Sequence, residues 1–101
     1  MTKSTQKWIA SRNLIMVSKE TGERKTLHIR IGVPWKGDLD EFATCITRFD
    51  GLFDSDTTSK GVDTLQALQL ATNIDSMLAG FKDRFDFFWV DGDSYEETQS
   101  N

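Results

Sequence analysis

Residues Lys25–Val33, KTLHIRIGV, alternate apolar and polar side chains from Thr26 onward. That period of two is the signature of a strand with one wet face and one dry face. On this count Leu27, Ile29, Ile31 and Val33 share one side, and Thr26, His28 and Arg30 the other. Upstream, ETGER places Gly22 between charged residues as a hairpin turn, and Lys7–Lys19, KWIASRNLIMVSK, reads as a first strand at near alternation. Downstream, Pro34 cannot donate to a ladder and ends the strand, WKGDLDE forms a polar loop carrying Trp35, and Phe42–Phe49, FATCITRF, reads as a third strand. Such short hairpin connections make these pairings antiparallel.

The segment DGLFDSDTTSK, residues 50–60, is crowded with turn formers and reads as a loop. It leads to GVDTLQALQLA, Gly61–Ala71, where Asp63 is placed to cap a helix with Gln66 as its capping-box partner. Ala67, Leu70, Ala71, Ile74, Met77, Leu78 and Phe81 then recur at helical spacing, one apolar stripe opposite a polar face. A stripe of that kind lies on a sheet. Phe85–Val90, FDFFWV, is a short aromatic strand. The expected fold is α+β: a mainly antiparallel sheet in the order strand, strand, strand, helix, strand, with one long helix packed on one face. The place of the last strand in the sheet stays open.

At 101 residues the chain supports one core. The expected division is a short N-terminal tail over residues 1–6, a single domain over 7–90 and an acidic tail over 91–101. No apolar run reaches the roughly 20 residues of a membrane span, and the polar N-terminus lacks the core of a secretion signal, so a cytoplasmic protein is expected. The net charge of -4 is unevenly spread. Eight Lys/Arg face two Glu in residues 1–36, whereas four Lys/Arg face fourteen Asp/Glu in residues 37–101.

Chemistry-bearing residues are sparse. Cys45 is alone and His28 is the single histidine, so neither a disulfide nor a nitrogen and sulfur zinc set is available. Gly61–Leu65 resembles the attachment motif of acyl carrier proteins, with Thr64 where a serine would take the phosphopantetheine. Carrier domains are helical bundles, however, and the strands before this motif favour Asp63 as a cap. Asp54–Thr58, DSDTT, formally matches the nucleophile loop of haloacid-dehalogenase-like phosphatases, but the chain is short for that architecture and lacks a parallel α/β pattern. Two alternatives remain open: a cation site or enzymatic loop built on Asp50, Asp54 and Asp56, and nucleic-acid binding through Lys7, Arg12, Arg24, Lys25 and Arg30. No catalytic set and no cofactor are expected. Phe87, Phe88 and Trp89 are consecutive, and a strand sends neighbours to opposite faces, so one of them is expected toward solvent.

RIGVP after the first hairpin, GVDTLQALQLA opening the helix and the aromatic strand with Trp89 together resemble a bacterial domain-of-unknown-function family, number 6968, over nearly the whole chain. Thr64 departs from that family's usual serine. The resemblance implies a small bacterial α+β domain and brings no activity, catalytic residue or cofactor with it.

The leading functional expectation is therefore a non-enzymatic domain that binds another protein, as immunity and inhibitor proteins do, with its acidic surface steering toward a basic partner. The candidate partner-binding residues are Trp35, Asp38, Asp40, Glu41, Asp54, Asp56, Phe88, Trp89, Asp91 and Asp93. Whether these carboxylates bind or merely solubilise, and whether the chain is a monomer or a dimer, are both left open by the sequence.

Overall fold

The computed structural model describes residues 6–95. Five strands form one antiparallel sheet: β1 (Trp8–Ser18), β2 (Arg24–Gly32), β3 (Ala43–Asp50), β4 (Thr57–Gly61) and β5 (Phe85–Trp89), in the order β4-β3-β2-β1-β5. The helical segment between β4 and β5 consists of α1 (Thr64–Ala71) and α2 (Ile74–Ala79). The α+β class, the antiparallel sheet and the helical layer on one face agree with the sequence expectation. The last strand pairs antiparallel with β1, with Leu14 opposite Trp89 and Ser18 opposite Phe85.

Alternation in β2 builds the core. Leu27, Ile29 and Ile31 are buried, and their cross-strand neighbours Leu14, Phe49 and Thr47 join them on the same side. Met16, Cys45, Ala43 and Phe87 extend that layer, and Ala67, Ala71, Ile74 and Leu78 close it from above. Burial pushes the Cys45 thiol pKa up, and its Sγ lies 3.2 Å from the Gly32 carbonyl oxygen, the environment of a small packed residue. Thr47 is the buried polar exception. Its Oγ1 donates to the Ala71 carbonyl at 2.8 Å, which satisfies the hydroxyl and fastens the end of α1 to the sheet.

The helix start carries the cap its sequence predicts. Asp63 Oδ1 accepts from Gln66 N at 2.8 Å as the cap, while Gln66 Oε1 accepts from Val62 N at 2.7 Å, one residue before the N–H that a capping box would use. Gly61 is needed because β4 runs directly into α1: a Cβ there would stand 2.6 Å from Ala67 N. Thr64 is simply the first, exposed residue of α1. Asp63→Ala should lower stability by about 1 kcal/mol, whereas Thr64→Ala should change it by a few tenths. Chemical denaturation reads both, and equal midpoints for the two variants would remove the capping role.

Four details depart from the sequence reading. The segment 50–60, read as a loop, contains β4, a short polar edge strand that pairs with β3 alone. Edge strands need no apolar face, and β-branched threonines suit the pleat. The helix is bent at Thr72 and Asn73, where the Thr72 hydroxyl donates to the Gln69 carbonyl at 3.0 Å and the backbone leaves helical angles. Within α1, which turns Ala67 and Ala71 to the sheet, Leu70 falls out of the apolar stripe and Leu68 packs against the core instead. Finally, the domain boundary drawn at Val90 falls short. Trp89 N donates to the Asp93 carbonyl at 2.8 Å, Ser94 bridges Phe88, and Tyr95 is a core residue with 4% of its surface exposed.

Candidate functional site

The helices cover one face of the sheet and leave the other open, and two backbone irregularities decide what stands on the open face. In β1, Trp8 pairs with Gly32 but Ala10 with Ile31, so one residue is bulged at Ile9. Without that extra residue Trp8 would share the helix-covered face with Ala10; the bulge turns it to the open one. Beyond β2, Ile31 pairs with Thr47 while Trp35 exchanges two backbone bonds with Thr44, at 2.9 and 2.8 Å. Strict continuation would place Pro34 opposite Thr44, and Pro34 has no N–H to give. One residue is therefore bulged out before Trp35, which brings this indole to the open face beside Thr44.

Trp8 is fixed between two guanidinium groups, with Arg30 at 5.1 Å and Arg48 at 4.8 Å from its ring centre. These arginines face each other across the β2–β3 ladder, a like-charge pair that needs compensation. Asp50 pairs with Arg30, and Asp56 takes Arg48 in a bidentate contact of 2.7 and 3.0 Å. The Arg48 hydrogen bonds hold the Asp56 carboxyl below the usual carboxylate range, outweighing its partial desolvation.

Next to this base lies a cluster of exposed apolar side chains. Phe42 precedes Ala43, which pairs with Gly61, so Phe42 and Val62 leave the β3–β4 ladder side by side. Trp35 is 44% exposed, Phe42 46%, Val62 62% and Leu39 99%, while Leu65, 62% exposed, stands on α1 and turns away from the sheet. The loop between Trp35 and Phe42 is closed by Asp40, whose Oδ2 accepts from Gly37 N at 2.9 Å, and it is tied to the helix mouth by Lys36 Nζ, 3.4 Å from the Val62 carbonyl oxygen. Asp38, Asp40, Glu41 and Asp63 are exposed around the same cluster. Exposed apolar groups in and beside a loop that carries three carboxylates have the composition of a binding patch: an apolar centre bordered by charge.

The structure therefore brings together Trp35, Asp38, Asp40 and Glu41, and separates them from the other sequence candidates. Asp54 and Asp56 lie in the β3–β4 connection at the opposite end of the strands, with Asp56 engaged by Arg48. Asp91 and Asp93 form the turn after β5, beyond the far edge of the sheet, where Asp91 Oδ1 accepts from Asp93 N at 3.0 Å. Phe88 stands on the open face opposite Ile15. Trp89 is on the helix side, its ring centre 5.0 Å from that of Tyr95 in a tilted contact, and beneath Arg12. Phe42 and Val62 escaped the sequence reading because their proximity depends on how β3 and β4 pair. The usable signal was that Val62 falls outside the apolar stripe of the helix it precedes.

Neither alternative chemistry gathers at one place. Asp50 and Asp56 each hold an arginine, and no group of three His, Cys, Asp or Glu side chains suited to a metal ion occurs among the described residues. Of the basic residues, Arg12 and Lys25 stand on the helix-covered side of β1 and β2, Arg24 and Arg30 on the open side, and Lys7 precedes β1. No helix among the described residues is long and apolar enough to cross a membrane.

Fold and patch together define an α+β domain with a single-sided helical layer and an aromatic, acid-rimmed surface at one end of its strands. No protein-family model, curated protein or solved structure matches this chain.

Proposed function

We propose that this protein is a non-enzymatic interaction domain that binds a basic partner protein through the patch of Trp35, Leu39, Phe42 and Val62, in the manner of an immunity or inhibitor protein. The observation that carries this reading is the pair of bulges that turns Trp8 and Trp35 out of the core side. A bulge interrupts the ladder locally, and here the result is an exposed indole whose neighbours are apolar and whose border is acidic. Tryptophan in such a setting is the residue type that dominates binding energy when a partner desolvates it. Asp38, Asp40 and Glu41 steer a cationic surface toward it and fix its orientation. Membership of the bacterial family that Gly61–Ala71 resembles, and a cytoplasmic setting, belong to the same proposal.

Affinity capture on the tagged full chain tests it, comparing the wild type with Trp35→Ala/Phe42→Ala. A basic protein retained in stoichiometric amount by the wild type, released by raised salt and bound about tenfold more weakly or worse by the double variant is the expected result. Equal retention by both proteins, or no stoichiometric partner from the native host, contradicts the proposal.

A further inference from the structure

The sheet has an incomplete edge. β5 pairs with Leu14–Ser18, so the first half of β1, Trp8–Asn13, has no strand on that side among the described residues. The bonding phase along β1 follows from its end: Ser18 N donates to Glu23 on the β2 side at 2.9 Å, and Lys19 N to Arg84 on the β5 side at 2.9 Å. Alternation then aims the N–H and C=O of Asn13 and Ser11 away from β2, toward the edge that no strand of the described residues pairs with. Directly beside it, the bend at Thr72 leaves a pocket of about 150 Å³ lined by Ala10, Ser11, Arg12, Ile29, Ile31, Thr72 and Ile74. This pocket is half open and has both apolar walls, Ile29, Ile31 and Ile74, and polar ones, Ser11, Arg12 and Thr72, room for one small aliphatic group beside a charged one.

Arg12 gives the pocket its chemistry. It stands on the helix-covered face opposite Ile29, half-buried, with its guanidinium 5.2 Å from the Trp89 ring centre. Its Nη1 donates to Tyr95 Oη at 2.6 Å, and it makes no ion pair among the described residues. A half-buried guanidinium without a carboxylate favours one. Ala10 and Arg12 are two residues apart on one face, so a strand laid along this edge would present alternate side chains to the pocket and to Arg12.

The geometry points to strand addition: an extended segment of a partner protein pairs with Ser11 and Asn13, seats an aliphatic side chain in the pocket and sets a carboxylate, two positions along, against Arg12. This surface lies at the β1 edge, apart from the Trp35 patch, and stands or falls independently of it.

Selection of a displayed library of random linear peptides on the full-length wild type, with counter-selection on Ser11→Pro, tests the proposal. Proline at position 11 deletes an outward donor without touching the β2 ladder, and an unchanged melting temperature confirms that the fold is kept. Enriched sequences should share an aliphatic residue and an Asp or Glu at a spacing of two. A synthetic peptide of the enriched sequence should bind about tenfold more weakly after its carboxylate is changed to the amide, and that preference should vanish on Arg12→Met. Trp35→Ala/Phe42→Ala should bind this peptide as the wild type does. No enrichment, enriched peptides that bind Ser11→Pro equally, a different spacing, or a homodimer through this edge that the peptide cannot displace would each overturn it.

Discussion

Phe49→Ala should lower the melting temperature by about 15 °C or more, while Phe42→Ala, seven positions earlier on the same chain segment, shifts it by only a few degrees. Phe49 is buried on the helix-covered face of β3, with Phe53 at 5.2 Å and Phe81 a further 5.8 Å from Phe53. Removing its ring strips contacts from this aromatic row and leaves a cavity, a change worth about 3–5 kcal/mol. A domain of this size has about 5–15 kcal/mol in total, and each kcal/mol displaces its melting point by about 4–8 °C. Phe42 stands on the other face, already half in water, so its truncation forfeits little burial. Calorimetry on the two variants reads the difference directly. Similar shifts for both would contradict the difference in burial between the two faces of β3, and a larger shift for Phe42→Ala would reverse them.

Tyr95→Ala should cost about 3 kcal/mol or more, an effect that no solvated tail residue produces. Tyr95 packs against Trp89 in a tilted ring contact, accepts from Arg12 and donates to Asp75, and so joins β1, the C-terminal turn and α2. Burial, and then the hydrogen bond to Asp75, raise its hydroxyl from the ordinary 10.0 to about 12. A pKa raised on folding contributes stability that is fully present below the unfolded value, near pH 10, and is lost as pH climbs toward the folded value, near pH 12. The wild type should therefore lose about 2 kcal/mol across that window beyond whatever Tyr95→Phe loses. Tyr95→Phe should also be weaker at neutral pH by about 1 kcal/mol, because Arg12 and Asp75 lose the hydroxyl between them. Denaturant midpoints taken from neutral pH to pH 12 show this, and parallel curves for wild type and Tyr95→Phe would remove Tyr95 from the core.

The parts of the fold legible in the sequence are those written in local periodicity and local chemistry. The alternation of β2, the turn at Gly22 and the Asp63 cap each involve residues within a few positions of one another. β4 was hidden because Thr57–Gly61 is polar on both sides, as an edge strand can be when it packs through one neighbour. The helix bend was hidden because Thr72 and Asn73 continue the polar face and interrupt nothing in the pattern. Tyr95 was hidden by the acidic residues around it. Its burial depends on Arg12, 83 positions away.

The candidate site shows the same division. Trp35, Asp38, Asp40 and Glu41 announce themselves as an aromatic and three carboxylates in one short loop. The placement of Trp8 was the less accessible matter, because a count of two from Ala10 puts it on the core side and a single bulged residue reverses that. Phe42 and Val62 become neighbours only when Ala43 meets Gly61. The acidic residues, read as one surface from composition, divide in three dimensions because β4 and β5 are opposite edges of the sheet.

Amide hydrogen exchange on the full chain, alone and with the partner retained by affinity capture, tests the central claim most directly. Slowed exchange confined to residues 35–42 and 62–65, absent for Trp35→Ala/Phe42→Ala, is the predicted result. Protection that falls elsewhere, or an exchange pattern unchanged by the partner, would contradict it.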